Sequence, residues 1–324
     1  MSPLATSAGS VLINGRFLRG LWGRREDDLP VECPAWAQTF LADRWRVRSA
    51  APTGGGVSQR CSEDVPPDST VERSLELRGG AGIEHAVCLG QNVEAAEASS
   101  FRRQLRFTAW ICVEHSELRA GEVTLVIGSP RAEDLFDASV EEVARVATAA
   151  LPVDRWQRID FSFDARGFRT TGLRVDLEFP AAFLNHPSAR VRIADVALFP
   201  AAASEPGPRP AALEAFLAGR FFQRHDAQRI NGVGRALVCN PHELHFQFPF
   251  PEMHSAPACT ISQDNADLCV FAEDGQPQAG FAYDVTYRAR SSVTIRATKM
   301  RHQLRDGYLA FRRFAGVILL DAEL

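Results

Sequence analysis

Cys239, His242 and His245 stand close together, and His254, Cys259 and Cys269 follow downstream. Thiolate and imidazole are the ligands that zinc prefers. The spacing is not that of a zinc finger, however, and the HELH run lacks the two-turn separation of HExxH. His242 and His245 cannot share one face of a strand of period two, so a polar strand edge accounts for them. Asp27-Asp28, Glu141-Glu142 and Asp64 could supply paired carboxylates for glycoside hydrolysis, which needs two such groups a fixed distance apart around a sugar. Asn231-Gly232-Val233-Gly234 lacks the third glycine and the strand–helix setting of a phosphate loop, and reads as a hairpin or bulge turn. No GxSxG elbow or Walker motif is present.

The aromatic residues say more. Sugar rings present apolar C–H faces, and flat Trp or Tyr rings with polar neighbours suit them. In Leu105–Val113, Leu105, Phe107, Ala109, Ile111 and Val113 alternate with Arg106, Thr108, Trp110 and Cys112. If the second set faces solvent, Trp110 beside Thr108 and Arg106 is a stacking platform; in a two-sheet core it is packing. Trp22 and Trp36, near Arg24, Arg25 and Gln38 in loop-rich stretches, are further candidates. Trp45 and Trp156, each in a D-R-W run leading into a strand, read as core anchors.

The elements that must position these residues are mostly strands. Ser74–Leu77, Ile83–Leu89, Leu105–Val113, Val123–Ile127, Trp156–Phe163, Leu173–Phe179 and Val191–Phe199 are strand-length runs rich in β-branched or aromatic residues. Separated by Gly, Pro and Asp turns, they predict a β-sandwich over residues 11–200, behind an arm at 1–10. Glu133–Ala150 fits a helix with Leu135, Val140, Val143 and Val146 on one side, or a loop leading into a strand. Residues 201–209 form a Pro-rich linker. A helix from Pro210 to about Arg224, with Leu213, Phe216, Leu217 and Phe221 on one face, then opens a smaller β-domain over 210–324. Its expected strands are Arg235–Cys239, Leu244–Phe248, Ala258–Ser262, Leu268–Ala272, Phe281–Arg288, Ser292–Thr298 and Phe311–Leu320. The fold class is mainly β: a jelly-roll sandwich followed by a helix-led β-domain.

The 324 residues, 45% hydrophobic, are ample for two cores, and 40 acidic against 36 basic side chains give a net charge of −4. A nucleic-acid binder would carry a basic excess, so that partner is excluded. Lys299 is the single lysine; GC-rich coding explains the bias, and arginine forks also suit acidic polysaccharides. No run approaches the ~20 apolar residues of a membrane span. Residues 1–10 lack a secretory signal pattern, and the chain is expected to fold in a cytosol. Seven cysteines (33, 61, 88, 112, 239, 259 and 269) without a CxxC are expected to be reduced, mostly small core residues.

Taken in order, several of these segments match a known pattern. Leu12-Ile13-Asn14-Gly15-Arg16-Phe17 with Trp22, Ala42-Asp43-Arg44-Trp45-Arg46-Val47, Gln91-Asn92-Val93-Glu94, Leu105–Val113, Trp156-Gln157-Arg158 and Val191–Phe199 together resemble one jelly roll. It is the carbohydrate-binding-module-like (galactose-binding-like) jelly roll of phage tail-fibre and head-spike proteins. Glu214 with Phe221-Phe222-Gln223-Arg224 is similar to the helix that follows it there, and Phe250–Pro257 to a later strand. The resemblance implies a structural protein of a virion or virion-like particle, such as a phage-derived gene transfer particle. It would be assembled in the bacterial cytoplasm and act outside the cell. It implies non-catalytic adhesion to a cell-surface or capsular polysaccharide, contacts with other particle proteins, and a homo-oligomer, with a trimer favoured. The rival readings are a polysaccharide depolymerase and a purely structural component without sugar binding. Such modules often hold a structural calcium through the N-terminal segment and an Asp on the last strand, here Asn14 and Asp195. Phe17-Leu18 stands where the calcium-binding modules have Phe-Glu, which removes one carboxylate from that set.

Overall fold

A computed structural model of the chain describes residues 10–18, 31–33, 38–40, 42–49, 57–67, 69–98, 104–114, 120–136, 140–164, 171–226, 232–312 and 316–322. By their contacts these fall into two compact units, dividing at Ala218/Gly219. The Pro-rich stretch and nearly all of the helix after it therefore count with the first unit.

The first unit contains β1 Val31–Cys33, β2 Gln38–Phe40, β3 Arg46–Ser49, β4 Val57–Ser62, β5 Ser74–Arg78, β6 Val87–Val93 and β7 Gln104–Glu114. These are followed by β8 Ala120–Gly121, β9 Thr124–Ser129, β10 Glu141–Ala147, β11 Leu151–Pro152, β12 Trp156–Asp164, β13 Leu173–Phe179 and β14 Arg190–Pro200. Two six-stranded sheets result, ordered β1-β4-β5-β14-β7-β12 and β10-β9-β13-β6-β3-β2, with antiparallel pairing throughout. Neighbours distant in sequence, such as β5, β14 and β7, make the order a jelly-roll sandwich and not a meander. The shared core takes every second residue. β7 gives Leu105, Phe107, Ala109, Ile111 and Val113, and β12 gives Ile159, Phe161 and Phe163. From the other sheet come Leu89, Leu125, Ile127, Val175 and Leu177. Period-two alternation thus fixes which residues are left on the two outer faces.

Within 133–150, Glu141–Ala147 forms the strand β10, paired with β9 across a bulge between Glu142 and Ala144. The bulge shifts the alternation, which is why its apolar spacing imitated a helix. The helix α1 covers Ala95–Ala98, and α2 covers Ala211–Gly219, where the Pro210 carbonyl accepts the N–H groups of Leu213 and Glu214. α2 ends before Phe221, so the expected helical face does not form. Glu214 and Ala218 are its buried residues, while Leu213 and Phe216 are exposed.

In the second unit lie β15 Phe222–Asp226, β16 Gly232–Asn240, β17 Glu243–Pro249, β18 Ala258–Ile261, β19 Leu268–Ala272, β20 Pro277–Gln278, β21 Ala282–Ala289, β22 Ser292–Thr298, β23 Gly307–Phe311 and β24 Val317–Asp321. They build a three-stranded sheet, β15-β24-β18, and a seven-stranded one, β20-β19-β23-β16-β17-β22-β21. Leu244, Phe246, Met253, Leu268, Val293, Ile295, Leu309, Ile318 and Leu320 form its core. The run expected as one strand over Phe311–Leu320 is two strands, β23 and β24, which belong to different sheets. Gly232 and Gly234 flank a bulge in β16. Among the described residues no helix is long and apolar enough to cross a membrane.

Candidate functional site

The residues of the N-terminal motif meet in one structural clasp. Asn14 takes a left-handed conformation, φ 55°. Its backbone N–H donates to Glu214 Oε2 at 2.6 Å, and its Oδ1 accepts the N–H of Leu18 at 2.9 Å. Trp45 Nε1 donates to the Asn14 carbonyl at 3.0 Å, and Asn14 Nδ2 to that of Asp43 at 3.3 Å. Gln91 closes the turn from the other side, accepting from Ile13 N at 2.7 Å and donating to the Ile13 carbonyl at 2.9 Å. Phe17 packs on Trp45, ring centroids 5.5 Å apart. Trp45 is therefore the expected core anchor, and these motif residues hold the sandwich together.

Asn14 and Asp195, the expected calcium pair, are each engaged with protein groups. The Asn14 amide is engaged as above, and Asp195 faces the Arg16 guanidinium, Nε to Oδ1 3.6 Å. Asp195 and Arg16 border a cleft of about 80 Å³ between the N-terminal turn, the bulge of β14 and residues 206–209. Burial pushes the Asp195 carboxyl up against the opposing pull of Arg16. Among the described residues no group of three or more His, Cys, Asp or Glu could hold a metal ion. His245 Nε2 lies 2.6 Å from Glu243 Oε1, His242 is bonded to the Met300 carbonyl, and Cys239 Sγ points to the Leu237 carbonyl at 3.7 Å. All three belong to the β16–β17 hairpin, as a polar edge and not as ligands of one ion.

The outer face of the first sheet is the candidate site. Trp110 on β7 is half-buried, set between Ala194 of β14 and Arg158 of β12. Trp156 of β12 stands opposite Cys112, so the two tryptophans are diagonal neighbours on adjacent strands of one face. Trp156 is also half-buried, not a core anchor, and its Nε1 donates to Asp64 Oδ1 at 3.2 Å.

Beside the tryptophans runs a lattice of charges in the row Arg60–Glu76–Arg192–Cys112–Trp156 across five strands. Glu76 is fully buried and accepts from Arg60 at 2.6 Å, Arg78 at 2.8 Å and Arg192 at 2.9 Å. Burial pushes its carboxyl up, but the three guanidinium hydrogen bonds outweigh that and hold it below the usual range. Arg192 also pairs with Asp64 and Glu114, each at 2.7 Å. Glu76, Asp64 and Glu114 on this face are thus each paired with arginine. At the far end Arg106 forks onto Asp160 and lies over the Phe199 ring, 5.9 Å from its centroid. Residues after β14 cross this end, where Glu205 pairs with Arg158. Trp110 and Arg106 share the face as expected, but Arg106 is engaged by its neighbours. Trp22 and Trp36 lie outside the described residues.

No protein-family model matches the chain, and no curated protein matches it. Among solved structures it is similar to an arabinose-bound α-L-arabinofuranosidase, at 13% identity and a TM-score of 0.38, over 61% of this chain and 27% of that one. A tailspike protein domain of bacteriophage CBA120 matches at 14% identity and a TM-score of 0.35, over 48% of this chain and 19% of that one. A xylan-binding carbohydrate-binding module of family 22 from Paenibacillus barcinonensis matches at 16% identity and a TM-score of 0.34, over 48% of this chain and 91% of the module. The chain thus spans about a quarter and a fifth of the first two proteins.

Proposed function

We propose that the first unit is a non-catalytic polysaccharide-binding module whose outer face stacks glycan rings on Trp110 and Trp156. The single observation that carries this reading is the placement of two half-exposed tryptophans as diagonal neighbours on one sheet face. Arg158 and Asp64, both partly exposed, flank them. Glu76, the buried carboxylate beside them, is held low by its arginines and does not fit the general acid of glycoside hydrolysis. In this proposal the chain is a fibre or spike of a virion or virion-like particle, a homo-oligomer with three copies favoured, adhering to a cell-surface or capsular polysaccharide. The sequence resemblance supports that setting, and repetition of a weak site multiplies avidity without new contacts.

The test is binding to an array of bacterial surface polysaccharides, with Trp110→Ala and Trp156→Ala beside the unaltered protein. Each ring contributes about 1–1.5 kcal/mol, so each substitution is expected to weaken binding roughly tenfold with unchanged thermal unfolding. Undiminished binding in both variants rejects the stacking face. Shortening of the polymer on incubation establishes a depolymerase instead. Immunogold labelling of purified particles tests the fibre role, and particles that never carry the chain reject it.

A further inference from the structure

The opposite face of the sandwich carries a second cluster, unlike the first in its charge balance. Across the second sheet Arg46 of β3 stands beside Gly90 of β6, then Asp176 of β13, Val126 of β9 and Arg145 of β10. Arg48 and Arg174 lie one position diagonal, beside Cys88 and Asn92. Asp176 is buried and takes Arg46 Nη2 at 3.0 Å and Arg48 Nη2 at 2.8 Å, with Arg174 Nε at 3.8 Å. Gly90 makes this possible: a Cβ there would lie 1.9 Å from Asp176 Oδ1. The next carboxylates, Glu142 and Glu178, are both engaged by Arg145. Cys88 adds no negative charge, because burial pushes its thiol up to about 11.

Three guanidinium groups therefore share one carboxylate. Arg46 is 1% exposed, yet among the described residues its Nε and Nη1 have no hydrogen-bond partner, nor do the Nε atoms of Arg48 and Arg174. Burying an unpaired charged donor costs several kcal/mol. The strain appears in the acidities as well: burial, then the charge of Arg46, pushes Arg174 down to about 10. The Arg48 side chain, 35% exposed, opens the cluster to solvent.

We propose that Arg48 and Arg174, with the buried Arg46 behind them, form an anion subsite that takes the carboxylate of a uronic-acid sugar in an acidic polysaccharide. A carboxylate can accept two N–H bonds from one guanidinium fork, and here it would neutralise the excess charge around Asp176. The subsite uses neither Trp110 nor Trp156, so it stands or falls separately from the stacking face.

Calorimetric titration with digalacturonate, neutral digalactose and sodium sulfate decides the matter, using the full chain and the variants Arg48→Gln, Arg174→Gln and Trp110→Ala. Digalacturonate is expected to bind, digalactose and sulfate to bind at least tenfold more weakly. Either arginine substitution should weaken the uronate at least tenfold, whereas Trp110→Ala should leave it unchanged. Arg48→Lys keeps the charge but loses the fork, and should recover only part of the affinity. Absence of uronate binding at millimolar concentration overturns the proposal. So does binding that survives both glutamine variants when thermal unfolding shows them folded, and equal affinity for sulfate rejects the sugar assignment.

Discussion

Glu76 shows how one buried charge can organise a face. It has no exposure to solvent and is satisfied only by its arginines, so replacing it leaves those cations facing a neutral group. We expect Glu76→Gln to cost about 3–5 kcal/mol at pH 7, measured by urea unfolding. The sign with pH follows from the depressed carboxyl. Its contribution is complete above the ordinary carboxylate range near 4 and is lost as pH falls through the lower folded value. The gap between the variant and the unaltered protein should therefore narrow as pH falls below about 4 and close below the lower folded value, and a gap that does not narrow contradicts the assignment. Trp156 illustrates what residue-level reading can miss. Its D-R-W setting resembled that of Trp45, but Ile159, Phe161 and Phe163 already fix the inward parity of its strand, and Trp156 has the opposite parity. The signal was legible; the local similarity concealed it.

At the scale of elements, strands with one buried face were readable because alternation is a direct record of burial. Leu173–Phe179, Leu268–Ala272 and Ser292–Thr298 begin and end where their patterns do. Segments whose burial comes from bulges or from a change of sheet were not. β10 has shifted parity, and the apolar run after Gly307 is shared between two sheets. Nor could pairing be read: nothing local says that Arg46, Gly90 and Asp176 are neighbours across three strands. The N-terminal turn has an element-scale consequence. Gly15 sits where a Cβ would lie 1.9 Å from the Val196 carbonyl oxygen, and its own carbonyl accepts the Val196 N–H at 2.8 Å. Because that neighbour is backbone, it cannot rotate away. Gly15→Ala should lower the melting temperature by several degrees or abolish soluble protein, whereas Gly207→Ala, with open space around it, should do neither.

Across the whole molecule, each unit has its own apolar cluster and its own sheets. A chain ending at Gly219 should therefore unfold cooperatively and keep the glycan affinity of the full protein, read by calorimetry and by the same array. Loss of affinity on shortening would assign part of the binding to the second unit or to oligomerisation. The proposed trimer is a separate expectation, checked by sedimentation of the full chain.

The bond between Asn14 and Glu214 joins residues 200 positions apart, and β14 must insert between β5 and β7 before the first sheet is continuous. On a ribosome adding about 5–20 residues per second, the opening turn waits roughly 10–40 s for its partner to be synthesised. During that interval the half-made sandwich presents unpaired strand edges to its siblings on the same messenger. Translation speed and chaperone occupancy over the segment before Glu214 thus become determinants of yield, and a slowed codon stretch there should increase aggregation more than one placed after it.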